Sequence, residues 1–292
     1  MDFKVSVIIP VYNSEYFLAN AVASAASLPE VGEILLVEDG STDFSWELCL
    51  SLARDWDKVR SIRHSDRQNH GVSSTRNLGI VNSRFPYIAF LDSDDYYLSN
   101  RFEISKAVFQ RNSTVDGVYE AAQYENLFLA SSDEMYSLTE SLRPEDLFYW
   151  ILDGRKGHFC TNAITIKKQL FQRAGLFLES LRMHEDTELW LRLAFYGKLV
   201  AGNINSPVAI VRRHHANAIK ARNVDTLLNF YRILLDYYSN KPLSLKQTAV
   251  LLRRYCRQKS LRFDEPAQRR LDFYFSFWKL LVSVFFSGRL NG

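Results

Sequence analysis

The chain has 292 residues, 47% hydrophobic content and a formal net charge of +3, enough material for one large domain or a domain with an appendage. So small a net charge carries no bulk attraction for nucleic acid, and no nucleic-acid partner is expected. Three widely spaced cysteines, Cys49, Cys160 and Cys256, form no CxxC pair and read as reduced thiols of a cytoplasmic protein.

Met1 leads straight into KVSVIIP, without the apolar core and small-residue cleavage site of a signal peptide. Lys4–Ile9 reads as a strand stopped by Pro10, with Asn13 or Ser14 capping a helix over Glu15–Ser27. Glu33–Val37 is a second strand, and a helix follows around Ser45–Arg54. Val59–Arg63 is a weaker strand, Ser73–Val81 a helix, and Tyr87–Leu91 a fourth, buried strand. This alternation predicts an α/β fold whose Rossmann-like, mostly parallel sheet is flanked by helices. Ligands of such sheets bind beyond the carboxyl ends of the strands, so Pro10–Asn13, Glu38–Asp43 and Asp92–Asp95 should face one crevice.

Asp92-Ser93-Asp94-Asp95 places three carboxylates within four residues. Close like charges repel, and two explanations compete: they bind a hard cation such as Mg²⁺ or Mn²⁺, or they cap a helix over Asn100–Arg111. Glu38-Asp39-Gly40 follows the second strand. A carboxylate only accepts hydrogen bonds, which suits a base edge bearing N–H, so Asp39 is a candidate nucleotide reader; a local Asx-turn is the alternative. Arg76, near a helix start, could contact a diphosphate.

Beyond Val115 the pattern loosens. Val115–Tyr119, Glu125–Ala130, Ala163–Ile166 and Val208–Arg212 are candidate strands, and Pro144–Leu152 and Asp186–Tyr196 candidate helices. Asp186 falls in a first helical turn, where the helix N-terminus favours the ionised carboxylate; it is either a general base or an ordinary first-turn acid. His214 and His215 are candidate metal ligands or phosphate donors. Thr226–Tyr238 and Leu243–Tyr255 read as helices, followed by basic Arg253–Arg270 and aromatic Leu271–Phe286. That pairing fits an anchor lying on the inner face of the cell membrane; packing on the catalytic domain or in a homodimer is the alternative. No stretch of 18 uncharged apolar residues predicts a membrane span.

In this order, SVIIPVYN, VEDGSTD, GVSSTRN, FLDSDD and HEDTELWLR resemble glycosyltransferase family 2, inverting enzymes with the GT-A fold. The resemblance covers roughly Lys4 to Asn217. It implies a catalytic domain over 1–220, with a nucleotide-sugar half at about 1–100 and an acceptor half at about 101–220. Residues 221–292 would be a helical extension. The implied activity is transfer of one sugar from a nucleotide diphosphate donor, preferably a UDP-sugar, to the hydroxyl of a saccharide or lipid-linked saccharide. Surface polysaccharide or glycolipid assembly is the expected setting.

By position, Pro10, Tyr12 and Asp39 would line the nucleoside pocket and Arg76 would help hold the nucleotide. Asp94 would bind Mn²⁺ or Mg²⁺, with Asp92 near the ribose or the ion and His214 near the metal and diphosphate. Asp186 would be the base. The usual Asp-Asp of the second motif is Glu38-Asp39 here, and the QxxRW motif of processive polymerases is absent, which favours single additions. A sugar-nucleotide pyrophosphorylase would want glycines after the first strand, and PVYNSEY has none. A non-catalytic homologue recruited to membranes is the other alternative; the intact Asp39, Asp94 and Asp186 argue against it.

Overall fold

The computed structural model describes residues 3–126, 134–213 and 224–286. Its first part follows the expected alternation: β1 (Val5–Val11), α1 (Leu18–Ala26), β2 (Val31–Glu38), α2 (Ser45–Asp55), β3 (Val59–Arg63), α3 (Val72–Asn82) and β4 (Tyr87–Phe90). Next come β5 (Tyr96–Tyr97), α4 (Glu103–Arg111), β6 (Gly117–Tyr119), β7 (Ala121–Asn126), β8 (Met135–Tyr136), α5 (Pro144–Asp153) and a 3-10 turn (Thr161–Ala163). The chain continues through β9 (Ile164–Lys167), α6 (Leu170–Ala174), α7 (Glu185–Tyr196), β10 (Leu199–Ala201) and β11 (Pro207–Arg213). Three helices follow, α8 (Val224–Tyr238), α9 (Leu245–Ser260) and α10 (Pro266–Phe286).

Among the described residues the main sheet has seven strands in the order β10-β6-β9-β4-β1-β2-β3. Its pairings are parallel except at β9, which runs antiparallel to both β4 and β6. The central strands are sealed on both faces: Val7, Ile8 and Ile9 of β1 and Ile34 to Val37 of β2 have no solvent exposure. That burial is why their sequences are near-continuous apolar runs rather than alternating ones. α3 lies hard against β1, because a Cβ on Gly79 would sit 2.4 Å from Ile8 Cγ2.

Pro10 does not stop β1, which runs on to Val11 in register with β2. Ile8 accepts from Leu91 on the β4 side, whereas Val11 accepts from Asp39 on the β2 side. Alternate residues bond alternate neighbours, so Pro10 faces the β4 side beyond the last pairing, Ile8 with Phe90. No ladder bond is lost there.

A second sheet, β5-β11-β7-β8, was not expected. Its β5 and β8 are two residues each, too short for any periodicity to register. The helix expected from Asn100 begins at Glu103, and the strand expected over Glu125–Ala130 is Ala121–Asn126, with residues 127–130 outside the described residues.

The chain forms two compact units. One comprises Met1–Leu147 and Lys156–Asn217, the other Phe148–Arg155 and Ala218–Gly292. The smaller unit is helical. Its α9 opens with a capping box between Ser244 and Gln247, and its interior holds Leu228, Leu234, Val250, Leu251 and Cys256. The fully buried Asp153 carboxylate takes up Arg253 and Arg155.

Candidate active site

The loops after β1, β2 and β4 are fastened to one another at the carboxyl edge of the main sheet. Asn13, in a left-handed conformation at φ 49°, accepts from the Thr42 amide at 2.9 Å. Ser14 receives the two neighbouring loops: its amide donates to Ser45 Oγ at 2.7 Å, and its hydroxyl lies 2.6 Å from Ser93 Oγ. Gly40 sits at φ 72°, and a Cβ there would fall 2.7 Å from the Asn69 amide nitrogen, so only glycine fits.

Asp39 is buried inside this loop cluster. Its carboxylate accepts from the amides of His70 at 2.8 Å and Gly71 at 2.9 Å, and its carbonyl accepts from Asn69 Nδ2 at 3.0 Å. These partners lie about thirty positions along the chain, so the arrangement is no local Asx-turn. Asp39 thereby fixes the entry to α3, whose first residue follows Gly71. A carboxylate offers about four lone-pair sites, so two amide bonds leave acceptor capacity. Pro10 is half-buried and Tyr12 is 49% exposed on the adjoining strand end.

From α3, Arg76 reaches across the site. Its guanidinium is buried, with Nη2 at 2.8 Å from Asp92 Oδ1 and Nη1 at 3.2 Å from Glu185 Oε1. It also lies over the Phe177 ring at 5.4 Å. Arg76 therefore joins the acidic loop after β4 to the start of α7. Asp39, Asp92 and the Glu185-Asp186 pair all border this one helix.

Within the acidic loop, Asp95 is not a helix cap. It is buried, accepting from the Arg212 amide at 2.8 Å and from Asn162 Nδ2 at 2.5 Å. Burial, with Asp94 and Asp92 beside it, pushes its carboxyl well above the usual range. Asn162 Oδ1 in turn accepts from the Asp92 amide at 2.9 Å, and Arg212 Nη1 donates to the Asp94 carbonyl at 2.9 Å. The loop is thus pinned from the 3-10 turn and from β11.

At α7, His184 takes the N-cap position at φ 65°, an uncommon conformation for a side-chain-bearing residue. It turns Glu185 inward to Arg76, while Asp186 stays half-buried and accepts from the Thr187 amide at 2.6 Å. Burial first, then the adjacent Asp186, raises the Glu185 carboxyl to about 7 against the pull of Arg76.

Among the described residues, no group of three or more His, Cys, Asp or Glu is placed to hold a metal ion. Asp95 is committed to its two donors. Asp92, 35% exposed at its side chain and already accepting from Arg76, and half-buried Asp94 are the other two carboxylates of the loop. Such a pair fits Mg²⁺ or Mn²⁺ when substrate phosphates complete the shell. His214 and His215 lie outside the described residues.

Three residues central to this network carry no mark in the local sequence: Glu185 is told from Asp186 only by its bond to Arg76, and Asn162 and Arg212 find their partners 67 and 117 positions away.

A sequence profile described as glycosyl transferase family 2 matches residues 6–174, more than half of the chain. The chain belongs to glycosyl transferase family 2. An uncharacterized glycosyltransferase of Rickettsia prowazekii is 32% identical over 245 residues, covering 80% of this chain and 70% of the relative. The Bacillus subtilis minor teichoic acid biosynthesis protein GgaA is 27% identical over 208 residues, covering 68% of this chain and 45% of that protein. This family member spans only a third of a Rickettsia felis glycosyltransferase to which it is 32% identical. The crystal structure of S. aureus TarS 1-349 in complex with UDP-GlcNAc superposes with a TM-score of 0.70 at 16% identity. The match covers 94% of this chain and 79% of that TarS 1-349 chain, and places the fold among GT-A proteins.

Proposed function

We propose that this family 2 member transfers a single sugar, with inversion, from a UDP-sugar to an acceptor hydroxyl in surface polysaccharide or glycolipid assembly. One observation carries the reading. Arg76 gathers the acidic loop and the start of α7 into one site, so a donor diphosphate and an acceptor can be served together. The UDP-GlcNAc complex of TarS and the teichoic-acid role in the name of GgaA support the donor and acceptor classes.

In this reading residues up to about 220 carry the chemistry and the helical unit seats the protein on the inner membrane face. Pro10, Tyr12 and Asp39 border the nucleoside, with the spare acceptor capacity of Asp39 meeting a base N–H. Arg76 holds the nucleotide site by fixing Asp92. Asp94 and Asp92 would hold Mn²⁺ or Mg²⁺, which when bound stabilises negative charge on the departing diphosphate. Asp186 takes the proton from the acceptor O–H as its oxygen bonds the anomeric carbon. The bond from that carbon to the diphosphate oxygen breaks, and UDP leaves with the electron pair.

The test is calorimetry of UDP-sugars with and without Mn²⁺, paired with a transfer assay. Metal-dependent binding that Asp94→Ala abolishes, together with sugar transfer, is expected. Unchanged metal-dependent affinity in Asp94→Ala removes Asp94 from the ion. Binding with neither transfer to an acceptor hydroxyl nor UDP release to water makes the protein a non-catalytic binder.

A further inference from the structure

α10 has two apolar sides, and only one is covered. Its inner side packs on α9: Lys259 Nζ reaches Asp272 Oδ1 at 3.2 Å and Ser276 Oγ at 2.8 Å, and Ser276 is buried. On the other side stand Leu271, Tyr274, Phe275, Trp278 and Val282, exposed by 72, 60, 73, 59 and 47%. Their spacing of three, four, seven and eleven from Leu271 puts them in one stripe, about 100° wide at about 100° per residue. So much contiguous aromatic surface marks an interaction face.

Charge decides what covers it. Arg270 and Lys279, both exposed, lie on opposite flanks of the stripe, each about 80–100° from its centre. The acid of this helix, Asp272, is turned inward to Lys259. The exposed charge bordering the stripe is therefore positive on both sides. Long cationic side chains flanking an aromatic stripe let the rings enter acyl chains while the charges stay at the headgroups. A second copy of this chain would instead bring like charges together at the rim. Among the described residues no helix is long and apolar enough to cross a membrane, so the face lies on a surface rather than through it.

We infer that the Leu271–Val282 stripe of α10 docks on an anionic lipid bilayer, its rings inserted at the interface and Arg270 and Lys279 on the phosphates. This deepens the peripheral placement proposed above and is independent of the donor chemistry, so donor binding serves as a separate readout. The experiment is co-sedimentation of the full chain with phosphatidylcholine vesicles, with and without phosphatidylglycerol, over a salt series. Binding should require the anionic lipid and weaken with salt. The double variant Phe275→Ser/Trp278→Ser should bind at least tenfold more weakly. Arg270→Glu/Lys279→Glu should lose the anionic preference, while both variants keep the wild-type melting temperature and UDP-sugar affinity. Wild-type protein that ignores anionic vesicles overturns the inference. So does a dimer in light scattering that Phe275→Ser/Trp278→Ser converts to monomer, which would assign the stripe to a second copy.

Discussion

The acidic loop after β4 and the acidic start of α7 both crowd carboxylates, and each ties one of them to partners from distant segments. In the loop, Asp95 is sunk and held by two neutral donors, the Arg212 amide and Asn162. In α7, Glu185 is partly buried, 15% exposed at its side chain, and held by a cation, Arg76. Asp94 and Asp186 remain half-buried in their respective segments. The difference teaches that Arg76 belongs to both segments. It pairs with Asp92 of one and Glu185 of the other, so the spacing between the acidic loop and the start of α7 depends on one guanidinium.

The largest effect is expected at Asp186, the acid of the α7 start that Arg76 does not hold. Asp186→Asn should keep donor affinity and lose about 10²–10⁴ in turnover, the ordinary worth of a general base. That is roughly 3–5 kcal/mol of barrier at about 1.36 kcal/mol per tenfold. Single-turnover transfer and calorimetry measure the two separately. A variant that loses donor binding instead would make Asp186 part of the scaffold, like Glu185.

Arg76 tests the bridge itself. Arg76→Met leaves Glu185, 15% exposed at its side chain, beside Asp186 without its cation, and breaking a buried pair costs about 3–5 kcal/mol. The lower end applies, because Asp92 is 35% exposed and can rehydrate. Arg76→Lys keeps the charge but cannot fork to two carboxylates, so urea midpoints should rank wild type, Lys, Met. If Arg76→Met unfolds with wild type, the two segments stand without the bridge.

The same comparison explains what could be read in advance. β1 to β4 are sealed on both faces, so their apolar runs and the loops after them stood out, and SVIIPVYN, VEDGSTD and FLDSDD marked the sheet edge. Asp95 could not be told from Asp92 and Asp94, because its partners are Asn162, 67 positions on, and Arg212, 117 positions on. Arg76 reads as a candidate diphosphate contact, and its pairing with Glu185 gives no local signal because that residue lies 109 positions away. Burial of a charge is decided by such distant partners, which no local pattern encodes. The second sheet escaped for a simpler reason: two of its strands are shorter than one period of any useful window.

The smallest expected effect concerns protons. The carboxyl of Glu185 rises from 4.5 to about 7 through burial and Asp186. The native state therefore binds this proton more tightly than the unfolded chain, and between those values the slope of unfolding free energy with pH is negative. Its contribution is complete below about 4.5 and lost as pH climbs through 7. Glu185→Gln cannot titrate, so its stability should fall less across that window, by about 1–3 kcal/mol relative to wild type. Asp95, also raised, acts with the same sign and stays in the variant, so a residual slope is expected. Denaturant curves at several pH values from 4.5 to 7.5 give the comparison. Equal slopes in wild type and Glu185→Gln would mean that Arg76 alone keeps Glu185 ionised, making the α7 start a simple ion pair and erasing its difference from a surface salt bridge.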